Sequence, residues 1–271
     1  LSVLACAGLG CRVIATEHTH PPSQTLSGFW QRLRRLTYPR AARVVALTRG
    51  TAQWLERHVP GSRLAVIPNP VHWPLPQGEP VLAPPAGAGR KRLLAVGRLH
   101  ADKGFDLLLQ AYARLAQSHP DWDLVILGEG DERRALEAQV REAGLQDRVR
   151  LPGRAGNVGD WYHSADLYVL TSRFEGLSNT LLESMASGLA AVAFDCDTGP
   201  REIVRDGVDG VLVRPNGDVD ALCRALDAVM GDEAGRLRMA GAATAVRERF
   251  SAERVLGLWQ ELFDGVRAAG R

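Results

Sequence analysis

Apolar residues along the chain recur with two periods that take turns. Short, nearly continuous apolar runs alternate with stretches in which apolar positions return every three or four residues. These are the marks of buried strands and of helices with one inward face. The runs predict strands over 12–16, 44–47, 64–67, 92–97, 123–127, 149–151, 167–171, 190–194 and 210–213. The longer period predicts helices over 105–117, 132–143, 180–187, 220–230, 235–249 and 253–268. In the first of these, Leu108, Ala111, Tyr112 and Leu115 share a face. Strands alternating with helices predict an α/β fold with parallel sheets. No internal repeat at a solenoid period is visible.

One segment breaks the rhythm. Between 68 and 89 the chain carries Pro68, Pro70, Pro74, Pro76, Pro80, Pro84 and Pro85, with Gly78, Gly87 and Gly89. Proline removes a backbone donor and blocks helix continuation, so this reads as an interdomain linker. The expected division is a partial first domain over 1–75, a linker over 76–90, a second domain over 91–250 and a C-terminal helix over 251–271. The helix is expected to pack back toward the first domain. The second domain holds most of the predicted strands; the first resembles half of a doubly wound domain with its first strands missing, as in a fragment of a longer chain or a truncated gene product. The alternative for the opening residues, a secretory or lipoprotein leader with Ala5-Cys6-Ala7 as its small-x-small site, lacks an initiator Met and a basic stretch.

Composition narrows the classes. At roughly 150 residues per domain, 271 residues make nearly two domains, and 45% hydrophobic with 24% charged residues is a globular profile. A net charge of +2 carries no strong nucleic-acid footprint. No apolar run approaches the ~18 residues a membrane span needs. Four scattered cysteines without CxxC pairing fit a reduced, cytoplasmic setting. The stretch Phe29-Trp30-Gln31-Arg32-Leu33-Arg34-Arg35-Leu36 puts Phe29, Leu33 and Leu36 on one helical face beside arginines. The favoured reading is an amphipathic helix packed on its own sheet. The alternative is a peripheral contact with an anionic membrane surface.

Two loops carry the candidate chemistry. The first, Gly97-Arg98-Leu99-His100-Ala101-Asp102-Lys103-Gly104, joins a strand to a helix. Ligands of open α/β sheets bind beyond the carboxyl ends of strands, where this loop lies. Arg98 supplies a planar, bidentate cation and Lys103 a mobile point charge, a pair suited to a diphosphate. Lys103 is one of only two lysines, the other being Lys91, among 33 basic residues. The plain alternative is two solvated cations.

The second loop runs Thr171-Ser172-Arg173-Phe174-Glu175-Gly176-Leu177-Ser178-Asn179-Thr180 into the next helix, whose free N–H groups favour an anion. Glu175 falls on the loop and Glu183 in the first turns of the helix. Carboxylates accept two hydroxyl protons at once and so suit sugar diols. Thr180-Leu181-Leu182-Glu183 also matches a capping box, which offers Glu183 a purely structural role. Asp195-Cys196-Asp197 has the D-x-D form that can hold a divalent cation.

Together these motifs resemble the retaining glycosyltransferases of family 4, of the GT-B type. The resemblance lies in the G-R-x-x-x-x-K-G loop from Gly97-Arg98 to Lys103-Gly104 and in the Glu-x7-Glu pair Glu175 and Glu183, followed by Ser184-Met185-Ala186-Ser187-Gly188. The stretch from Phe194 to Ile203 resembles members that build bacterial surface polysaccharides. The resemblance implies two Rossmann-like domains across a cleft, the N-terminal one truncated here. It implies that Arg98 and Lys103 hold a donor diphosphate with N–H groups near Asn179, Thr180 and Leu181. It also implies that Glu183 binds ribose hydroxyls and that Glu175 holds the transferred sugar. Gly153 and Arg154 would border the base, and His18 would reach the donor sugar.

The implied reaction is metal-independent sugar transfer with retention, with the nucleotide sugar (a UDP-sugar favoured, GDP-mannose the alternative) as substrate and no cofactor. The acceptor would be a saccharide or lipid-linked saccharide, and the enzyme would work in the cytoplasm or on the inner face of the membrane. A non-catalytic nucleotide-sugar-binding fragment and a sugar-nucleotide epimerase remain as alternatives.

Overall fold

The computed structural model describes residues 2–6, 8–23, 26–85 and 89–268. Ala7 of the small-x-small site, Gly87 of the proline-rich segment and the last residues of the C-terminal helix lie outside them.

After a short helix α1 (Ser2–Ala5) come strand β1 (Ile14–Glu17), α2 (Gly28–Thr37), β2 (Arg43–Ala46), α3 (Arg49–His58) and β3 (Leu64–Val66). The strands form a parallel sheet in the order β1-β2-β3. One face packs on α3 through Val44, Ala46, Leu55 and Val59. The chain then continues through β4 (Lys91–Val96), α4 (Phe105–Leu115), β5 (Trp122–Leu127), α5 (Arg133–Glu142), β6 (Val149–Gly153), α6 (Val158–His163), β7 (Leu167–Leu170) and α7 (Asn179–Ala186). It ends with β8 (Ala191–Phe194), α8 (Pro200–Ile203), β9 (Gly210–Val213), α9 (Val219–Gly231), α10 (Glu233–Ala243), α11 (Val246–Arg249) and α12 (Ala252–Ala268).

The second sheet is parallel throughout, in the order β6-β5-β4-β7-β8-β9. Side chains alternate across it. Leu93, Ala95, Leu124, Ile126, Val169 and Val192 face a layer that includes α4 and α9. Leu94, Val125, Tyr168, Leu170, Ala191 and Ala193 face the layer of α6 and α7. Both faces are covered, so the strands read as continuous apolar runs rather than as alternation. The order reverses between β4 and β7. At such a switch point the connections leave toward opposite faces and open a crevice at the carboxyl ends.

The C-terminal helix crosses back. Val255, Leu262 and Val266 of α12 pack with Val45 and Ile67, covering the face of the first sheet opposite α3. The two crossings lie side by side: the Val71 N–H donates to the Phe250 carbonyl at 2.8 Å.

The proline-rich segment that joins the domains is docked. Trp73, Leu75 and Leu82 pack on the second domain, and Asn157 exchanges two hydrogen bonds with the Leu82 backbone. Two helix expectations need correction. The helix expected over 235–249 breaks between α10 and α11, which lets Val246 sink into the α7 layer. Helix α2 does not pack through Phe29 and Leu36: it turns Leu33, Arg34 and Thr37 inward, while Phe29, Trp30 and Leu36 are 67%, 44% and 58% exposed. The inward side is fixed by polar pairing, since Glu17, at the end of β1, accepts from Tyr38 Oη at 2.7 Å and pairs with Arg34 at 3.4 Å. A buried carboxylate must be paired, and that demand overrides the apolar face.

Candidate functional site

The loops leaving β4 and β7 meet at the switch point and are tied together by backbone contacts. The Arg173 N–H donates to the Asp102 carbonyl at 2.8 Å, and Thr171 Oγ1 donates to the Lys103 carbonyl at 3.0 Å. Gly104 makes this approach possible. Its φ of 62° is left-handed, and a Cβ there would lie 2.1 Å from the Thr171 carbonyl oxygen.

That approach brings Lys103 and Glu175 into contact. Lys103 Nζ lies 2.7 Å from Glu175 Oε1, which also accepts from Ser172 Oγ at 2.6 Å. Lys103 is therefore not a solvated cation. An ammonium has three donors and a carboxylate roughly four acceptor positions, so each keeps capacity for a ligand. Arg98 is held less firmly. Its guanidinium is 68% exposed and 4.0 Å from Asp102. With Arg154 it lines a cavity of about 430 Å³ beyond the ends of β4, β5 and β6.

Helix α7 starts at Asn179, with Ser178 as its N-cap residue, and Ser178 makes no side-chain hydrogen bond to the helix start. Instead its Oγ lies 3.3 Å from Thr180 Oγ1, which accepts from Tyr168 Oη at 2.9 Å. The first N–H groups, those of Asn179, Thr180 and Leu181, thus have no cap, the condition under which a helix start attracts an anion. The Leu181 side chain is fully buried, so only its backbone is available.

The same boundary removes the capping-box role for Glu183. That role needs Glu at the third helical position, whereas Glu183 is the fifth. Its Oε2 accepts from Tyr162 Oη at 3.1 Å. Burial raises its pKa above the ordinary glutamate value, against a smaller lowering by the Tyr162 hydroxyl. It shares a cavity of about 380 Å³ with Asn179, Asn69 and His72, and Asn69 Nδ2 donates to Asn179 Oδ1 at 3.1 Å.

His18 meets the Glu175 loop from the first domain through its backbone. It is exposed just beyond β1, and its carbonyl oxygen would be 2.5 Å from a Cβ at residue 176. Only a glycine lets the two domains touch beside Glu175. The D-x-D reading fares differently. Asp195 is buried and bonded to Arg201 at 2.8 Å and to Arg214 at 2.5 Å, and no group of three or more His, Cys, Asp or Glu suited to a metal occurs among the described residues.

The structure adds an interdomain seam that the sequence reading missed. Glu202 Oε2 and Oε1 accept from the N–H groups of Arg49 and Gly50 at 2.9 and 3.1 Å, so a carboxylate of the second domain caps α3 of the first. Beside it, Thr198 Oγ1 donates to Thr48 Oγ1 at 2.6 Å, Thr48 Oγ1 donates to Thr51 Oγ1 at 2.9 Å, and Thr51 Oγ1 lies 3.2 Å from His20 Nδ1. The visible signal was Thr48-x-x-Thr51, a helix-start pattern, but its partner lies 150 residues away.

A family model described as glycosyl transferases group 1 matches residues 84–246, and one described as glycosyltransferase family 4 matches residues 1–72. An exopolysaccharide phosphotransferase of Streptomyces coelicolor is 37% identical over 93% of this chain, which spans 26% of that protein. A Campylobacter jejuni α-1,4-N-acetylgalactosaminyltransferase, named for a diphospho-undecaprenol-linked acceptor, is 27% identical over 98% of the chain and 72% of its own length. Anabaena HepE, solved with UDP and glucose, superposes with a TM-score of 0.83 at 22% identity, over 98% of this chain and 74% of that one. The fold is accordingly GT-B. No helix among the described residues is long and apolar enough to cross a membrane.

Proposed function

The chain belongs to the group 1 glycosyl transferases, and from that membership we propose that it serves bacterial surface-polysaccharide synthesis by moving a sugar, with retention, from a nucleotide sugar to a saccharide or lipid-linked saccharide. A UDP-sugar is the favoured donor, since HepE was solved with UDP and glucose, with GDP-mannose as the alternative. The relative from Campylobacter acts on a lipid-linked acceptor, which favours that acceptor class and work at the inner face of the membrane. The outward Phe29, Trp30 and Leu36 of α2, beside Arg32 and Arg35, suit a peripheral contact there.

The observation that carries the reading is the Lys103–Glu175 pair at the switch point together with the uncapped start of α7, while Arg98 lines the cavity beyond β4 and Glu183 the one beside Asn179. In the proposed mechanism Arg98, Lys103 and the N–H groups of Asn179, Thr180 and Leu181 hold the diphosphate. As the anomeric C–O bond breaks, negative charge grows on the departing phosphate. Donors already aimed at that charge are worth about 3–4 kcal/mol each in other enzymes. The acceptor hydroxyl attacks from the face the phosphate leaves and gives its proton to that phosphate. Glu175, steadied by Lys103 and Ser172, takes hydroxyls of the transferred sugar, and Glu183 takes the ribose hydroxyls. Arg154 borders the base, and His18 closes on the sugar from the first domain. The cations are side chains, so the reading needs no metal or other cofactor.

Calorimetric titration with UDP, GDP and ADP tests it. One nucleotide binds, and Arg98→Ala or Lys103→Ala weakens it while the fold is kept. No nucleotide binding by the folded chain overturns the donor assignment.

A further inference from the structure

Between the domains, on the α12 side of the cleft, lies a second cavity of about 540 Å³ that none of the roles above uses. It opens beyond the carboxyl ends of β2 and β3, where an α/β sheet receives ligands. Four arginines line it from separate elements: Arg49 at the start of α3, Arg201 in α8, Arg249 at the end of α11 and Arg254 in α12. The single lining carboxylate, Glu202, is taken by the two N–H groups of α3. Arg201 pairs with Asp195, and Arg249 lies 3.7 Å from Asp209 and donates to the Ile203 and Glu202 carbonyls at 2.8 and 3.1 Å.

Arg49 and Arg254 are different. Both are exposed, they come from opposite sides of the cavity, and their guanidiniums pair with no group among the described residues. The contrast with the basic cavity at the amino ends of the first sheet is informative. There Arg12, Arg40 and Arg43 each donate to a backbone carbonyl, of Val266, Leu36 and Ala42, and the Arg63 guanidinium alone has no partner among the described residues. Two unpaired, planar cations that line one cavity supply the kind of donor that recognises phosphate bidentately.

We propose that this cavity binds the phosphate or diphosphate of the acceptor, with Arg49 and Arg254 as its principal ligands and Arg201 and Arg249 in support. This rests on the glycosyl-transfer reading and extends it to the acceptor: the accepted saccharide carries an anionic phosphate linker. The donor diphosphate goes to the Arg98–Lys103 loop and the acceptor phosphate to the seam between the domains. Binding there touches α3 and α12 on one side and α8 and α11 on the other, so the acceptor holds the cleft closed.

The test is binding of inorganic pyrophosphate at fixed ionic strength, with and without saturating UDP. It compares the full chain, Arg49→Gln/Arg254→Gln, and a charge-matched control, Arg57→Gln/Arg238→Gln, at exposed arginines outside the cavity. Pyrophosphate is expected to bind in the presence of UDP. The cavity variant weakens it by about two orders of magnitude, at roughly tenfold for each charged hydrogen bond lost, while the control variant and the affinity for UDP hold. Farnesyl diphosphate binding more tightly than pyrophosphate assigns the linker to a lipid carrier; glucose 1-phosphate matching pyrophosphate assigns it to a phosphorylated saccharide. Full competition by UDP, or equal loss in both variants, overturns the proposal. If the chain binds no UDP yet keeps an Arg49- and Arg254-dependent pyrophosphate site, the donor assignment fails and the cavity stands.

Discussion

Replacing Glu183 by Gln separates a binding role from a structural one, because the two predict opposite signs. Burial raises the Glu183 pKa, so the folded chain holds the carboxyl proton more tightly than the unfolded chain. Ionisation therefore costs stability as pH rises through the interval between the ordinary glutamate value and the raised one, and the full cost applies above it. Gln keeps the shape and an acceptor for Tyr162 Oη but carries no charge, so at pH 7 the melting temperature should hold or rise. Nucleotide binding should move the other way. A carboxylate accepting two ribose hydroxyls makes two charge-assisted hydrogen bonds, each about 1 kcal/mol stronger than its neutral counterpart. Losing about 2 kcal/mol weakens binding roughly 30-fold. Calorimetry with UDP and thermal denaturation of the same preparations read both quantities. A melting temperature lower by several degrees with UDP affinity unchanged would refute the reasoning and make Glu183 a structural residue.

The same group sets a pH dependence: binding of an intact nucleotide sugar should fall on acidification with a limb above the ordinary glutamate pKa, and Glu183→Gln should flatten that limb in a calorimetric pH series. Gly176→Ala places a Cβ 2.5 Å from the His18 carbonyl and must push the first domain off the Glu175 loop. Sugar transfer should fall by up to about 100-fold, as for an ångström-scale misplacement, while UDP affinity, measured in parallel, is kept. Glu202→Ala leaves the Arg49 and Gly50 N–H groups without their cap, costing about 1–2 kcal/mol, and differential scanning calorimetry should show a lower melting temperature that Glu202→Gln partly restores. Phe29→Ser/Trp30→Ser removes exposed apolar surface, so sedimentation with vesicles rich in anionic lipid should weaken while the melting temperature holds.

The second domain was legible because its signals are local. A parallel strand covered on both faces must be apolar along its length, and each helix between strands carries its own stripe. Every predicted strand from 92–97 to 210–213 therefore appears within two residues of its expected bounds. The loops were legible for the same reason: a strand, a glycine and a helix start in one short stretch already place Arg98, Lys103, Glu175 and Glu183 at carboxyl ends. Sequence could not say that β4 and β7 are neighbours, because sheet order comes from long-range pairing. Only that pairing sets Lys103 against Glu175, whereas the start of α7 at Asn179, with Ser178 as its N-cap residue, takes Glu183 out of the capping role.

Helix α2 shows the limit of reading one face. Its apolar stripe predicted which side would be buried, but Glu17 at the end of β1 requires Arg34 and Tyr38 as partners, and with that carboxylate satisfied Phe29 and Leu36 of the stripe face outward while Leu33 stays partly buried. The seam between the domains was silent for a related reason. Thr48, Thr51, Thr198 and Glu202 look like ordinary helix-start residues, and His20 like a core histidine, until the fold stacks them. Residue pattern thus determined which segments become strands and helices and which loops carry charge, because periodicity and loop chemistry act over a few residues. Tertiary structure alone decided which charges are spent on one another and which, like Arg49 and Arg254, are left facing an open cavity, because pairing depends on distances that no local pattern encodes.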